Sequence, residues 1–437
     1  MPVNRLLLSM SVPMMISMLV QALYNVVDSI FVSQISEDAF TAVSLVFPMQ
    51  NLMIAVGVGI GVGMNALMSK SLGQHNYKRA DKLAMQGLLL NIISFVLFFI
   101  TGALLPEFFM NTQTDSAVIY NYGVEYFRIC LTMSLGLFIE LSCEKMLQAT
   151  GRTVLSMIVQ GTGAVINIIL DPILILGLFG APRLEVAGAA YATVIGQTLA
   201  GALGIVICIL YNKEIKLKFS NFVPNLIEIK DILIIGIPSV VMAAIGSVMV
   251  LFMNKILMKF STTAVAVFGA YFKLQSFVFM PVFGLNNGMI PIVAFNYGAR
   301  KKERMTQTIR YSAIYAVAIM FIGIALCQIM PGKLLEIFNA SEDMLRIGVP
   351  ALRIICISFV FAGFCIVASS VFQALGKSIY SLFLSFGRQL VVLVPAAYLL
   401  SLTNKIEIVW FAFPIAEIAS VTLSLLFLRK IMKNLNI

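Results

Sequence analysis

Charge is scarce in this chain. Only 11% of its 437 residues are Asp, Glu, Lys or Arg, against 60% that are hydrophobic, where a soluble domain carries about 25% charged residues. That scarcity excludes a soluble globular protein and leaves a polytopic membrane protein. Histidine occurs once, at His75 in a basic loop, and reads as a solvated loop residue. The six cysteines (Cys130, Cys143, Cys208, Cys327, Cys356 and Cys365) all lie inside apolar runs without a C-x-x-C pair. They read as small core residues, not as a disulfide or zinc framework. The sequence has no G-x-x-x-x-G-K-[ST] loop, Cys/His ligand cluster or nucleophile elbow, so ATP-driven pumping, enzymatic chemistry and a bound cofactor all lack support. A cleavable leader is not expected either: Met1–Arg5 is short and the first apolar run is of spanning length.

What the chain does have is a copy of itself. Gly284–Arg304 (GLNNGMIPIVAFNYGARKKER) repeats Gly59–Arg79 (GIGVGMNALMSKSLGQHNYKR) at a constant offset of 225 (284 − 59 = 225). The same offset pairs Pro13 with Pro238, Gln50 with Gln275, Pro106 with Pro331, Arg128 with Arg353, Gln148 with Gln373 and Gly151 with Gly376, without a gap from Pro13 to Ser156. The chain is therefore an internal duplication.

Apolar runs predict twelve spans, at 8–33, 40–68, 83–105, 118–148, 154–179 and 188–211 in the first half, and at 232–258, 264–297, 307–330, 345–373, 380–402 and 407–428 in the second. The fold class is thus an all-α polytopic membrane protein: two six-helix lobes, 1–211 and 232–437, joined by a cytoplasmic linker at 212–231. With the N-terminus inside, the cytoplasmic loops hold Lys70, Lys78, Arg79, Lys82, Arg152, Lys213, Lys216, Lys218, Lys230, Arg300, Lys301, Lys302, Arg304, Lys377, Arg429, Lys430 and Lys433. The outer loops hold only Arg183, Lys259, Lys333, Arg346 and Lys405. This asymmetry places both termini in the cytoplasm of a cell-membrane protein, and it accounts for the net charge of +10 without a nucleic-acid partner. An even number of spans per half makes the repeats parallel. The row Gly57, Gly59, Gly61, Gly63 in the second span reads as close helix packing or as a bend. Prolines in or beside the spans, among them Pro13, Pro172, Pro238, Pro291 and Pro395, each remove a backbone bond, which suits a moving bundle.

Charges inside spans each cost about 2.5–3.5 kcal/mol or more at mid-membrane, so they need a reason. The first half holds Asp28, Glu140, Glu144 and Asp171; the second holds Lys255, Lys273, Arg388 and Glu417. Residues that hold the fold should recur in both copies, whereas a site can break the symmetry. Arg128 and Arg353 recur, whereas Asp28 faces Met253, and Asn167 and Asp171 face Val392 and Ala396. Asn167 and Asp171 share a helix face, and Pro172 interrupts the ladder beside them. Two carboxylates and an amide make an oxygen-rich site for Na⁺ at Asp28, Asn167 and Asp171, or for a proton on a buried carboxyl. The alternative is local bonding of Asp28 to Tyr24, Asn25 or Ser29. Glu417 is expected either to pair with Lys273 or Arg388 or to line a substrate cavity, with Gln50 and Gln275 further cavity candidates. Glu140, Glu144 and Lys145 are expected to be solvated at a helix end.

YNVVDSIFVSQ (Tyr24–Gln34), NIILDPILI (Asn167–Ile175), AGAAYATVIGQ (Ala187–Gln197) and above all GMIPIVAFNYGARKKER (Gly288–Arg304) together resemble the multidrug and toxic compound extrusion (MATE) transporters over nearly the whole chain. The resemblance implies two six-helix lobes around a central cavity, and cation-coupled antiport of organic compounds by rocking between outward- and inward-open states. Asp28, Asn167 and Asp171 match the first-lobe cation residues of its DinF-like branch, and Thr193 is a fourth member by position. The NorM-like branch carries a glutamate on the seventh helix, but Val241–Met258 contains no acid. The expected function is secondary export of amphipathic, often cationic, compounds against H⁺ or Na⁺, by a chain functional as a monomer with the bilayer and small organic substrates as its partners. A lipid-linked precursor flippase is the alternative, carried by Lys255, Lys273 and Arg388. A major-facilitator carrier fits poorly because SKSLGQHNYKRADK does not match its loop signature, and a channel would require ion flux without organic countertransport.

Overall fold

The computed structural model describes residues 1–217, 223–338 and 340–433. Lys218 and the linker stretch 218–222 lie outside the described residues. Among the described residues there is no strand. The helices run α1 Val3–Ser33, α2 Glu37–Gly73, α3 Tyr77–Leu104, α4 Pro106–Asn111, α5 Ala117–Thr132, α6 Leu135–Ala149, α7 Thr153–Leu176, α8 Glu185–Tyr211, α9 Leu226–Met258, α10 Thr262–Gly298, α11 Lys302–Ile329, α12 Pro331–Glu336, α13 Glu342–Cys356, α14 Phe359–Ala374, α15 Ser378–Phe386, α16 Val394–Ser401, α17 Ile406–Val409 and α18 Ala412–Lys433.

Among the described residues ten helical segments are long and apolar enough to cross a membrane, with α15 to α16 (Ser378–Ser401) and α17 to α18 (Ile406–Lys433) each counted as one, and there are twelve when two bent pairs each count as one span. The bent pairs are α5 with α6 (46°) and α13 with α14 (50°), so the fourth and tenth predicted spans are broken. A serine stands at each break. Ser134 Oγ donates to the Leu131 carbonyl (2.8 Å) and Ser358 Oγ to the Ile355 carbonyl (2.6 Å), competing with the helical amide donors at each turn. The predicted linker is partly helical, since Leu226–Asp231 form the first turns of α9.

The duplication recurs in the local chemistry. Ser36 caps α2 by accepting from the Ala39 N–H, and Ser261, 225 residues on (261 − 36 = 225), caps α10 at Ala264, both at 3.0 Å. Ser116 and Ser341 cap α5 and α13 in the same way. His75 and Arg300, the residues at corresponding turns, both have φ 56°. Exposed His75 is thus a turn residue, as the sequence suggested.

Two compact units emerge. One is Ile16–Val240; the other joins Met1–Met15 to Val241–Ile437. The divisions therefore fall inside α1 and α9, two residues after Pro13 and Pro238, rather than in the polar linker. In the first unit the start of α9 lies on the glycine row of α2: a Cβ at Gly63 would sit 2.4 Å from the Ile232 carbonyl oxygen. In the second unit the start of α1 lies on α10 in the same manner, where a Cβ at Gly288 would sit 2.7 Å from Ser11 Cα. Side chains clamp the helix ends. Arg79 pairs with Glu228 (3.1 Å) and Asp231 (2.9 Å); its repeat partner Arg304 donates to the Met1 carbonyl (3.3 Å). The glycine row is thus a packing surface, because only glycine lets two helix backbones approach this closely. Gly63→Ala and Gly288→Ala should each destabilise the protein by about 1–3 kcal/mol in detergent unfolding. Gly161→Ala, where a Cβ meets nothing within 4 Å, should leave the midpoint unchanged or slightly higher; three equal midpoints would contradict the close contact.

Candidate functional site

The unit Ile16–Val240 holds the predicted cation-site residues together. Helix α8 lies so close on α7 that a Cβ at Gly196 would be 2.7 Å from the Gly163 carbonyl oxygen. That contact sets Thr193 beside Asn167. Asp171 is fully buried and Asn167 is 2% exposed. The Asn167 amide nitrogen donates to Asp171 Oδ2 (3.2 Å), and its oxygen accepts from the Thr193 hydroxyl (3.3 Å) and backbone N–H (3.2 Å). This orientation satisfies both ends of the amide. Pro172 has no N–H, so the Ile168 carbonyl one turn back loses its helical donor.

Asp28 comes from α1 and lies within electrostatic range of Asp171. Its Oδ1 is buried and has no hydrogen-bond partner. The alternative of local bonds to Tyr24, Asn25 or Ser29 does not satisfy this oxygen; Ser29 instead donates to the Asn25 carbonyl. A buried acceptor without a donor is costly, and a bound cation or proton would relieve it. Tyr24 is in range of Asp28, Asp171 and Glu140. Gln50 sits in the same unit, where its amide donates to Cys130 Sγ (3.3 Å) and its carbonyl accepts from Tyr126 (3.5 Å).

The structure overturns one expectation. Glu140, Glu144 and Lys145 are not solvated at a helix end: they are 7%, 3% and 5% exposed, because α2 packs its glycine row over α6, with Gly61 against the Lys145 stem. Asp28 and Asp171 are therefore not the only carboxylates inside this unit. The missed signal was available as spacing, since Glu140, Glu144 and Gln148 recur every four residues on one helix face.

The other unit places Gln275, Arg388 and Glu417 around one cavity of about 50 Å³, with Tyr271, Phe279 and Phe413 among its walls and room for a few water molecules. Arg388 lies in a π-helical stretch, Gly387–Leu393, a form concentrated at functional sites. Its Nη1 donates to Glu417 Oε1 at 2.9 Å, while Glu417 Oε2 is buried without a partner. Of the two proposed partners of Glu417, Arg388 is the one that pairs. Lys273 is exposed and lies over the Phe338 ring (5.9 Å). Two residues on a helix turn about 200°, so Lys273 faces away from the cavity that Gln275 lines. Lys255 is exposed as well. Removing one partner of a buried pair strands the other charge, at a cost of about 3–5 kcal/mol. Arg388→Met should therefore lower thermal stability clearly, and Arg388→Met with Glu417→Met should regain most of the loss. Equal loss in both would mean that the pair is not coupled.

Comparison with known proteins now bears on this geometry. The MatE family model matches residues 13–173 and 238–399, one stretch in each half. The multidrug export protein MepA of Staphylococcus haemolyticus is 24% identical over 402 residues, covering 92% of this chain and 88% of the relative. A protein of Shewanella oneidensis named FAD transporter is 24% identical and covers 95% of this chain and 92% of its own. The outward-facing structure of a multidrug resistance MATE family transporter of the MOP superfamily superposes with a TM-score of 0.94 at 26% identity, covering 100% of this chain and 97% of that one. Matched over both copies of its repeat, the chain belongs to the MatE family: it is a multi-pass membrane transporter of the multidrug-export type and not an enzyme.

Proposed function

We propose that this protein is a secondary active exporter that exchanges amphipathic, often cationic, organic compounds for H⁺ or Na⁺ by alternating access, without an organic cofactor and as a monomer. The observation that carries this reading is the set of oxygens around buried Asn167 and Asp171, with half-buried Thr193 bonded to Asn167 and half-buried Asp28 on α1, whose buried Oδ1 lacks a donor. All of its side-chain ligands are hard oxygens, suited to Na⁺, or to a proton on a carboxylate. Two nearby carboxylates in a low-dielectric lobe repel until a cation neutralises them. If the cation favours one conformation and the organic substrate the other, that differential affinity couples the two fluxes. The multidrug export relative supports this substrate class.

The FAD transporter relative, with Arg388 on a cavity wall, supports a second reading in which the substrate is an organic anion. For the lipid-linked precursor flippase, Arg388 is the one of its three basic residues on this cavity, since Lys255 and Lys273 are exposed and do not line it.

Reciprocity supplies the test. In equilibrium substrate binding in detergent, titrated with Na⁺ at fixed pH and then with pH at fixed Na⁺, raising the coupling cation should weaken binding. Asp28→Asn and Asp171→Asn should each remove that effect and the gradient dependence of efflux, while the repeat position Ala396→Asn should impair transport less. Variants that keep the wild-type cation dependence would move the coupling site elsewhere, with Glu417 next. For orientation, all six native cysteines are buried, so cysteines introduced at exposed Lys216 and Lys301 report cleanly. Both should label from the cytoplasmic side only, and outside labelling at either would invert the topology.

A further inference from the structure

The mechanism above leaves two buried carboxylates unused. Glu140 and Glu144 are 7% and 3% exposed, and neither makes a salt bridge among the described residues. With fully buried Gln148 they form a stripe along one face of α6. At one end of the stripe, Tyr24 on α1 is in electrostatic range of Glu140 and of both Asp28 and Asp171. At the other end, the Gln148 carbonyl oxygen accepts from Lys145 Nζ (3.0 Å) and from Asn65 (3.5 Å), and its amide nitrogen donates to Ser156 (3.2 Å). Ser69 continues the line by donating to Asn65 (3.2 Å). Lys70, in the last turn of α2, follows Ser69 in sequence, and Arg152 lies between Gln148 and Ser156.

The titratable neighbours of the two glutamates are Tyr24 on α1, Cys143 and Lys145 on α6, and, through Cys143, Cys208 on α8. Helices α2 and α7 meet them with glycine: Gly61 lies against Lys145 and Gly163 beside Glu140 Oε1. The second copy of the repeat has Cys365 and Ser369 where the first has Glu140 and Glu144, yet keeps Gln373 opposite Gln148. The fold therefore does not require the carboxylates. Such groups are expensive within a membrane and mark ion or proton routes.

We propose that Glu140 and Glu144 carry protons between the Asp28–Asp171 site and the end of the lobe that bears the basic loops. The proposal rests on the cation-coupling reading and narrows its ion to H⁺. A protonated Asp28 or Asp171 gives its proton towards Tyr24, whose hydroxyl passes one on to Glu140, so the site regains a negative charge as Glu140 loses one. Glu140 then protonates Glu144 and returns to carboxylate, and Glu144 releases the proton to solvent at the end of the lobe that bears the basic loops. Carboxylates one helical turn apart, about 6 Å, suit proton hops through water. They do not close several oxygens around one metal ion.

The test uses the full chain in proteoliposomes, with ethidium as the organic cation and a trapped pH dye. Wild type should exchange ethidium for protons under an imposed pH gradient. Glu140→Gln and Glu144→Gln should slow this exchange by about tenfold or more, with Glu140→Asp partly restoring it, while ethidium affinity in detergent and its shift with pH stay within about twofold of wild type. Asp171→Asn should abolish that shift. Exchange at wild-type rates in both glutamine variants would overturn the pathway, as would a Glu140→Gln variant that loses the pH shift as Asp171→Asn does, which would make Glu140 part of the coupling site. A wild type driven by Na⁺ and indifferent to pH would overturn the proton route but keep cation coupling; indifference to both would remove the coupling reading itself.

Discussion

Each unit depends on one kind of contact, the docking of a helix backbone against a row of glycines. In lipid, helices gain little from the hydrophobic effect on meeting each other, and close van der Waals packing must hold them. Gly63 beneath the Ile232 carbonyl and Gly288 beneath Ser11 provide it. The contact explains why the repeat is clearest at Gly59–Arg79 and Gly284–Arg304. Those stretches carry the glycine seat and, at its end, the arginine that ties down the first turn of the docked helix. Each unit thereby takes its last helix segment from the other half of the sequence.

The duplication separates architecture from function. Features that solve a backbone problem occur twice: the serine caps at Ser36 and Ser261, the left-handed turns at His75 and Arg300, and the glycines at Gly151 and Gly376. A backbone amide or a left-handed turn makes the same demand in both copies. Buried charges occur once. Asp28, Glu140, Glu144 and Asp171 have Met253, Cys365, Ser369 and Ala396 as counterparts, and a carboxylate in a low-dielectric lobe is retained only where it does work that an apolar residue cannot.

The two units consequently solve burial of charge in opposite ways. The first sets Asp171 on the Asn167 amide and leaves the buried Asp28 Oδ1 without a donor. The second closes most of its charge internally through Arg388 and Glu417, with a π-helical turn placing the guanidinium beside a small aromatic cavity.

Composition and register by themselves determined that the chain is a membrane protein, that it is duplicated, and that Asn167 and Asp171 share one helix face; Thr193 came only from the family resemblance. Hydropathy is local, the repeat is a matter of counting, and four-residue spacing fixes a shared helix face. Tertiary structure alone decided the rest. Spans four and ten break at Ser134 and Ser358, because a hydropathy window averages across a break. Glu140 and Glu144 lie inside, because whether a helix end meets water depends on the neighbour laid over it. Arg388 rather than Lys273 reaches Glu417, and the units divide within α1 and α9 rather than at the linker. Each of these is set by which face of one helix another helix covers, and that is a property of the packed chain.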